Sequence, residues 1–405
     1  MMAAKQAMRR LTLIPQGVTV VLAGFLPIFA IICMFPAVPS IIRHFSSDPD
    51  AGWLVPLMVS APGLSIAVLA PFAGFFIDRF GRRKLILYAT LFYGFTGALP
   101  LLLDSLRVIF VSRLALGVCE AAIITVLNTL IGDYWKDTGR RDWLFLQGFA
   151  GPIAGSAAVM ISGLITAIWW KGAFLVYLIA LPIFVAMVVY LFEPSSRKTD
   201  SHELEATGES RTFPWVNAAA FGSVTMFTST LYYVYVINGG MAFKEVGIED
   251  PARLSALAAL PVLAVMIGAA IFRLLAARSS ATQFCVLFLV IGGGLMGIGL
   301  APDYRTMVAL VVVQQIGAGI AVPTLIAWTH TQLPFAHRGR GMGIWAACFF
   351  LGQFLSPWIV HRLQIGTGSM QGAFLVAGTA GVAAGVIALG RGFLRLGPSQ
   401  QVPLQ

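Results

Sequence analysis

The sequence predicts an all-α membrane protein, twelve transmembrane helices in two pseudo-symmetric six-helix bundles, and three observations carry that expectation. Of 405 residues, 58% are hydrophobic and only 11% charged, with a mean hydropathy of +0.85, whereas a soluble domain carries roughly a quarter charged residues. At roughly 20 apolar residues per span plus short loops, the chain holds about twelve spans. The polar segment 193 to 213, EPSSRKTDSHELEATGESRTF, leaves 192 residues on each side, the length symmetry of a duplicated six-helix unit.

Hydropathy places spans 1 to 6 near 18 to 42, 53 to 77, 85 to 103, 107 to 133, 142 to 167 and 172 to 192. Lys5, Arg9 and Arg10 precede the first apolar run, which outlasts a signal peptide's core and has no convincing cleavage site, so it reads as a retained span. The segment 193 to 213 is charged and rich in Ser and Thr, a composition that does not bury itself. Spans 7 to 12 follow near 215 to 239, 252 to 272, 282 to 301, 305 to 333, 341 to 361 and 370 to 390. The expected organisation is a first bundle over 1 to 192, a cytoplasmic linker over 193 to 213 and a second bundle over 214 to 405.

The formal net charge is +10, which raises nucleic acid as a partner. Its distribution argues otherwise. With the N-terminus in the cytoplasm, 19 Lys and Arg fall on the cytoplasmic side, seven on the other side, and Arg113 within a span. That is the positive-inside bias of a multi-pass protein of a cell membrane, a bacterial inner membrane by expectation, with both termini cytoplasmic and no nucleic-acid partner. Cys33, Cys119, Cys285 and Cys348 all lie in apolar runs, so no disulfide framework is expected.

The loop after span 2 reads Gly74-Phe75-Phe76-Ile77-Asp78-Arg79-Phe80-Gly81-Arg82-Arg83-Lys84. Gly81 permits a tight reversal, the arginines suit a basic interface, and Asp78 is an acceptor for nearby donors or a helix N-terminus. Any short cytoplasmic loop is basic, yet that does not account for Gly74, Asp78 and Gly81 at these spacings. The segment closely resembles the loop signature of the major facilitator superfamily, at the same place between spans 2 and 3. The resemblance implies a gating loop that latches the two halves. A decayed copy stands at Gly268 to Arg273, 194 residues after Gly74, and His337-Arg338-Gly339-Arg340-Gly341 is similar to Gly139-Arg140-Arg141.

Span 4 holds Arg113 and Glu120, the only formally charged side chains placed deep in the membrane, where uncompensated charge is costly and commonly functional. Seven residues turn a helix through about 700°, so the two share a face, separated by roughly 10 Å of rise. Burial and a neighbouring arginine act in opposite senses on a carboxyl's proton affinity, so Glu120 is the candidate for proton exchange, with Arg113 tuning it. A structural reading, with both satisfied by Asn128, Gln147, backbone or water, competes with this. The stretch resembles the superfamily's fourth-span signature, in which the arginine is tied to proton coupling. Its acidic version occurs in drug-efflux-like members and in organic-anion and lipid-transporting members.

Span 5 contains Gly148-Phe149-Ala150-Gly151-Pro152-Ile153-Ala154-Gly155-Ser156. Gly151, Pro152 and Gly155 are similar to the fifth-span signature of twelve-span drug:proton antiporters, while Gln147 and Ser156 replace two of its glycines. A proline-bent helix with small residues for close packing explains the same residues. Gly292-Gly293-Gly294-Leu295-Met296-Gly297 fits a dinucleotide-binding pattern but lies inside span 9 with no strand before it, and reads as helix packing.

Candidate cavity residues are polar or aromatic side chains toward mid-span: Asn128, Gln147, Tyr232, Tyr233, Tyr235, Gln314, Gln315 and Gln353. Tyrosine joins a large apolar face to a hydroxyl, which suits moderately hydrophobic ligands. With no phosphate-binding loop, zinc-ligand spacing or nucleophile elbow, neither enzyme, cofactor nor metal is expected. The most similar branch is that of the twelve-span drug:proton antiporters. The resemblance thus implies a monomeric, proton-coupled exporter of small amphipathic organic compounds working by alternating access. The alternative is a uniporter or proton symporter for an organic anion, sugar or lysolipid.

Overall fold

A computed structural model describes residues 14–135, 137–193, 212–334 and 337–394. Among them twelve helices are long and apolar enough to cross a membrane, and there is no strand. Spans 1 to 6 are Ile14–Ile32, Ala51–Phe72, Arg82–Leu102, Leu106–Tyr134, Asp142–Ile168 and Gly172–Tyr190. Spans 7 to 12 are Trp215–Glu245, Pro251–Leu275, Ser280–Leu300, Tyr304–Gln332, Arg338–Thr367 and Met370–Gly390. Of the expected linker, only Glu193, Thr212 and Phe213 are described. They mark what we call the linker end of the bundle, and the opposite end is the far end.

The long apolar run read as span 1 is broken in three. It forms helices Ile14–Gly24, Leu26–Ile32 and Val38–His44, because Pro27, Pro36 and Pro39 each lack an N–H. Backbone carbonyls along this run are taken by side chains of neighbouring spans, as a low-dielectric surrounding demands. The Tyr93 hydroxyl donates to Leu26 O at 2.6 Å, that of Tyr177 to Ala30 O at 2.7 Å, and that of Ser162 to Cys33 O at 2.5 Å.

The first six spans meet the last six along three seams, each built on small residues that let backbones approach. Span 5 packs on span 8 with Ser156 donating to Ala259 O at 2.8 Å and Gly163 lying against Ser255 and the Pro251 carbonyl. Span 2 packs on span 11, where Gly63 faces the Phe350 carbonyl and the Gln353 amide. At the far end the Phe35 ring meets that of Tyr235 at 5.3 Å, tilted by 46°, and the Phe35 carbonyl faces Gly240. Gly292 to Gly297 serve packing: Gly292 abuts Gly378 and Val382 of span 12, and Gly294 abuts Gln314 of span 10.

Candidate functional site

A cavity of about 290 Å³ lies at mid-span between the two sets of six helices. Span 1 contributes Gly24, Pro27 and Ile28, span 4 Glu120 and Leu127, span 5 Gln147, span 7 Tyr232 and Tyr233, and span 11 Phe350. Pro27 puts the break of span 1 in the wall. The Gln147 amide lies over Gly24, in the space a side chain there would fill. Tyr232 and Tyr233 are 4.8 Å apart at 62°, and Tyr233 meets Phe349 edge-on at 5.9 Å. Spans 7 and 11 thus give the cavity an aromatic wall.

Glu120 is the one formally charged side chain among the described lining residues, and none of them is Lys, Arg or His. It is 1% exposed, and its Oε1 has no hydrogen-bond partner among the described residues. A buried carboxylate oxygen without a donor is costly unless it takes a proton or a cationic partner. The site therefore favours a positive or protonated occupant.

Arg113, expected on the same helical face as Glu120, is not among the residues that line the cavity. It too is 1% exposed. Its Nη2 donates to Gly97 O at 2.7 Å, and its guanidinium lies over the rings of Tyr177 and Phe174 at 4.5 and 5.1 Å. No ion pair joins it to Glu120 among the described residues. Sequence reading missed Tyr93, Gly97, Phe174 and Tyr177, which mix with ordinary apolar span residues and carry no motif.

The other candidates divide. Glu120, Gln147, Tyr232 and Tyr233 come together in the cavity. Tyr235 and Gln315 line a separate small chamber. Gln314 lies in the seam of spans 9 and 10 and Gln353 in that of spans 2 and 11, both fully buried. The side chains of Asn128 and Asp78 lie outside those described. Pro152 sits within the continuous helix Asp137–Ile168, and Gly155 faces Ile32 and Val262. A Cβ added at Gly151 would meet only the chain tip of Ile28 and the ring edge of Phe25, at ordinary contact distance.

At the linker end, Gly74 and Asp78 belong to the short helix Ala73–Phe80, Arg79 is exposed, and Gly81 makes the reversal with φ of 78°. Arg82 and Arg83 are bound within the first half rather than across the two. Arg82 Nη1 pairs with Asp133 at 2.7 Å, and Arg83 donates to Leu191 O and Val188 O at 2.6 and 3.0 Å. Glu193, which composition assigned to the linker, accepts from the Arg82 and Arg83 backbone N–H groups at 2.9 and 2.8 Å. These are free donors at the start of span 3, where a carboxylate is favoured.

Twelve membrane-spanning helices around a mid-span cavity that holds one buried carboxylate define a multi-pass membrane transporter. The chain belongs to the Major Facilitator Superfamily, whose family model matches residues 20–300 and 249–403. It is 26% identical over 158 residues to an efflux pump, dotC, of Dothistroma septosporum, covering 39% of this chain and 27% of that one. It is 25% identical over 145 residues to the class E tetracycline resistance protein of Escherichia coli, covering 34% of this chain and 36% of that one. These matches span only about a quarter to a third of the relatives' own lengths. In fold it is similar to a D-xylose-proton symporter, with a TM-score of 0.72 at 13% identity, covering 92% of this chain and 96% of that one.

Proposed function

We propose that this transporter exports small amphipathic organic compounds, cationic or neutral, in exchange for protons. The single observation that carries the reading is Glu120: a buried carboxylate with an unpartnered oxygen in a cavity that has an aromatic wall and no basic side chain. Tyrosine and phenylalanine faces attract a lipophilic cation, and the carboxylate binds either that cation or a proton. Mutual exclusion at one carboxylate couples the two fluxes. The cavity is reached alternately from each end as the three seams between the halves open and close.

Arg113 serves this scheme from behind the wall, holding span 1 through Tyr177. Its place outside the cavity disfavours an organic anion as cargo. The Lys and Arg bias supports both termini lying on the cytoplasmic side of a cell membrane, and the chain works as a monomer of two six-span halves, 1 to 192 and 214 to 405, joined by residues 193 to 213. The similarity to efflux proteins supports the outward direction.

The test is flux of ethidium, a fluorescent lipophilic cation, in liposomes holding the purified chain. Ethidium is expected to accumulate against its gradient only when an opposing proton gradient is imposed. Flux that ignores the proton gradient would overturn coupling and leave facilitated diffusion.

A further inference from the structure

Beside the main cavity lies a second, smaller chamber of about 30 Å³, lined by Ile32 and Phe35 of the span 1 run, Val159 of span 5, Tyr235 and Val236 of span 7, Ala258 and Val262 of span 8, and Gln315 of span 10. Ile32 and Val236 also line the main cavity, so these two apolar side chains form the wall between them. On the far side the Phe35 ring packs, tilted, against that of Tyr235. The chamber therefore lies next to the far-end closure between spans 1 and 7.

Its walls are apolar except at two points. Tyr235 is 3% and Gln315 5% exposed, and neither the Tyr235 hydroxyl nor Gln315 Oε1 has a hydrogen-bond partner among the described residues. Both are buried polar atoms whose desolvation is uncompensated by protein. A chamber this size admits about one water, which needs roughly 10–15 Å³. Chemistry narrows the guest further. Gln315 Oε1 only accepts, whereas the tyrosine hydroxyl donates or accepts. A guest must therefore carry a donor N–H or O–H; an ether, a carbonyl or an anion leaves Gln315 Oε1 unsatisfied.

We propose that this chamber is a second binding subsite. It is filled in the empty protein by one water bridging Tyr235 Oη and Gln315 Oε1, which gives way to a donor group, hydroxyl or amine, of the bound cargo. The inference rests on the main cavity being the cargo cavity. A cargo seated against Glu120 and the tyrosine wall reaches the chamber by displacing only Ile32 and Val236. The two pockets then read different parts of one molecule, the carboxylate its charge and the chamber its donor.

The test uses two cations that differ in this respect: ethidium, which carries two aromatic amino groups, and tetraphenylphosphonium, which has no N–H or O–H. Binding to the purified full chain is compared with Tyr235→Phe and Gln315→Leu, neither of which adds bulk. Each substitution is expected to weaken ethidium about three- to tenfold, the loss of one hydrogen bond, and to leave tetraphenylphosphonium unchanged, which also shows the variants folded. Unchanged ethidium affinity, or equal losses for both cations, overturns the proposal. If the wild-type chain binds neither cation, the reading of the main cavity as a site for lipophilic cations fails. A high-resolution density map of the ligand-free chain then decides the chamber: a water within hydrogen-bond distance of both atoms supports it, and an empty chamber overturns it.

Discussion

Tyr177 carries the Arg113 guanidinium on its ring, 4.5 Å from the centroid, and gives its hydroxyl to the carbonyl of Ala30 at 2.7 Å. One side chain thus joins the buried cation of span 4 to the proline-broken part of span 1, whose Gly24 and Pro27 line the cavity. A point charge does not reproduce a planar cation stacked on a ring. Arg113→Lys should therefore lower thermal stability almost as far as Arg113→Ala, while Tyr177→Phe should cost about 1 kcal/mol, the value of one hydrogen bond. Unfolding temperatures in detergent would show this, and full rescue by lysine would show that charge alone matters.

Glu120→Gln keeps the shape and removes the titration. The variant should lose proton-driven accumulation while still exchanging labelled for unlabelled cargo at equilibrium, since exchange needs no net proton movement. For a cation this exchange should need higher cargo concentrations, because its carboxylate partner is gone. Counterflow and gradient-driven flux in the same liposomes separate the two. Wild-type accumulation with unchanged pH dependence would reduce Glu120 to a structural polar group.

Glu193 caps span 3 through the Arg82 and Arg83 backbone N–H groups. Glu193→Ala should cost about 0.5–1 kcal/mol, in the lower part of the range for helix N-caps because the site is exposed. It should also free the ends of spans 3 and 6 to separate. Calorimetry, and faster hydrogen exchange at residues 82 to 85, are the measurements.

The course of the spans was legible because twenty-residue apolar runs have few alternatives, and Glu120, Gln147, Tyr232 and Tyr233 reached the cavity for the same reason that made them visible: a polar atom at mid-span needs an interior. Gln314 and Gln353 obeyed that rule too, but their interior is a helix seam, and one sequence does not say which faces of spans 9, 10, 2 and 11 meet. Glu193 was hidden by composition. It stands at the head of a polar run, and only the return of span 6 beside the start of span 3 shows it to be a cap. Arg113 and Glu120 share a helical face, yet the ring of Tyr177, 64 residues further along the chain, takes the cation out of the cavity.

Asp104 and Lys171 tie two loops together at the far end at 2.7 Å, and Lys171 also donates to Leu101 O at 3.3 Å. The Lys171 hydrogen bond and charge hold the Asp104 carboxyl below its ordinary value. A depressed folded pKa contributes stability above the unfolded value, about 3.9, and loses it as pH falls through the folded value. Asp104→Asn should therefore be less stable than wild type at neutral pH, and the gap should close on acidification below about pH 4. A gap that persists at pH 2 would mean that packing, not ionisation, sets the difference.

Gly240 sets how closely spans 1 and 7 approach at the far end. A Cβ there would stand 2.9 Å from the Phe35 carbonyl oxygen and 3.3 Å from the Pro39 ring, and backbone cannot yield as a side-chain tip does. Gly240→Ala should push the two segments apart, penalising the closed far end by about 1–3 kcal/mol, as overpacking does elsewhere. A penalty of 1.4 kcal/mol is tenfold in population, so the variant should populate a far-end-open state about fivefold or more above wild type. Spin labels at Arg43 and Lys244, on either side of this seam, would report a longer distance in the variant. Because the seam lies beyond the Glu120 cavity, ligand affinity measured in a state locked open at the far end should not change. An unaltered distance distribution would mean that spans 1 and 7 do not form the far-end closure.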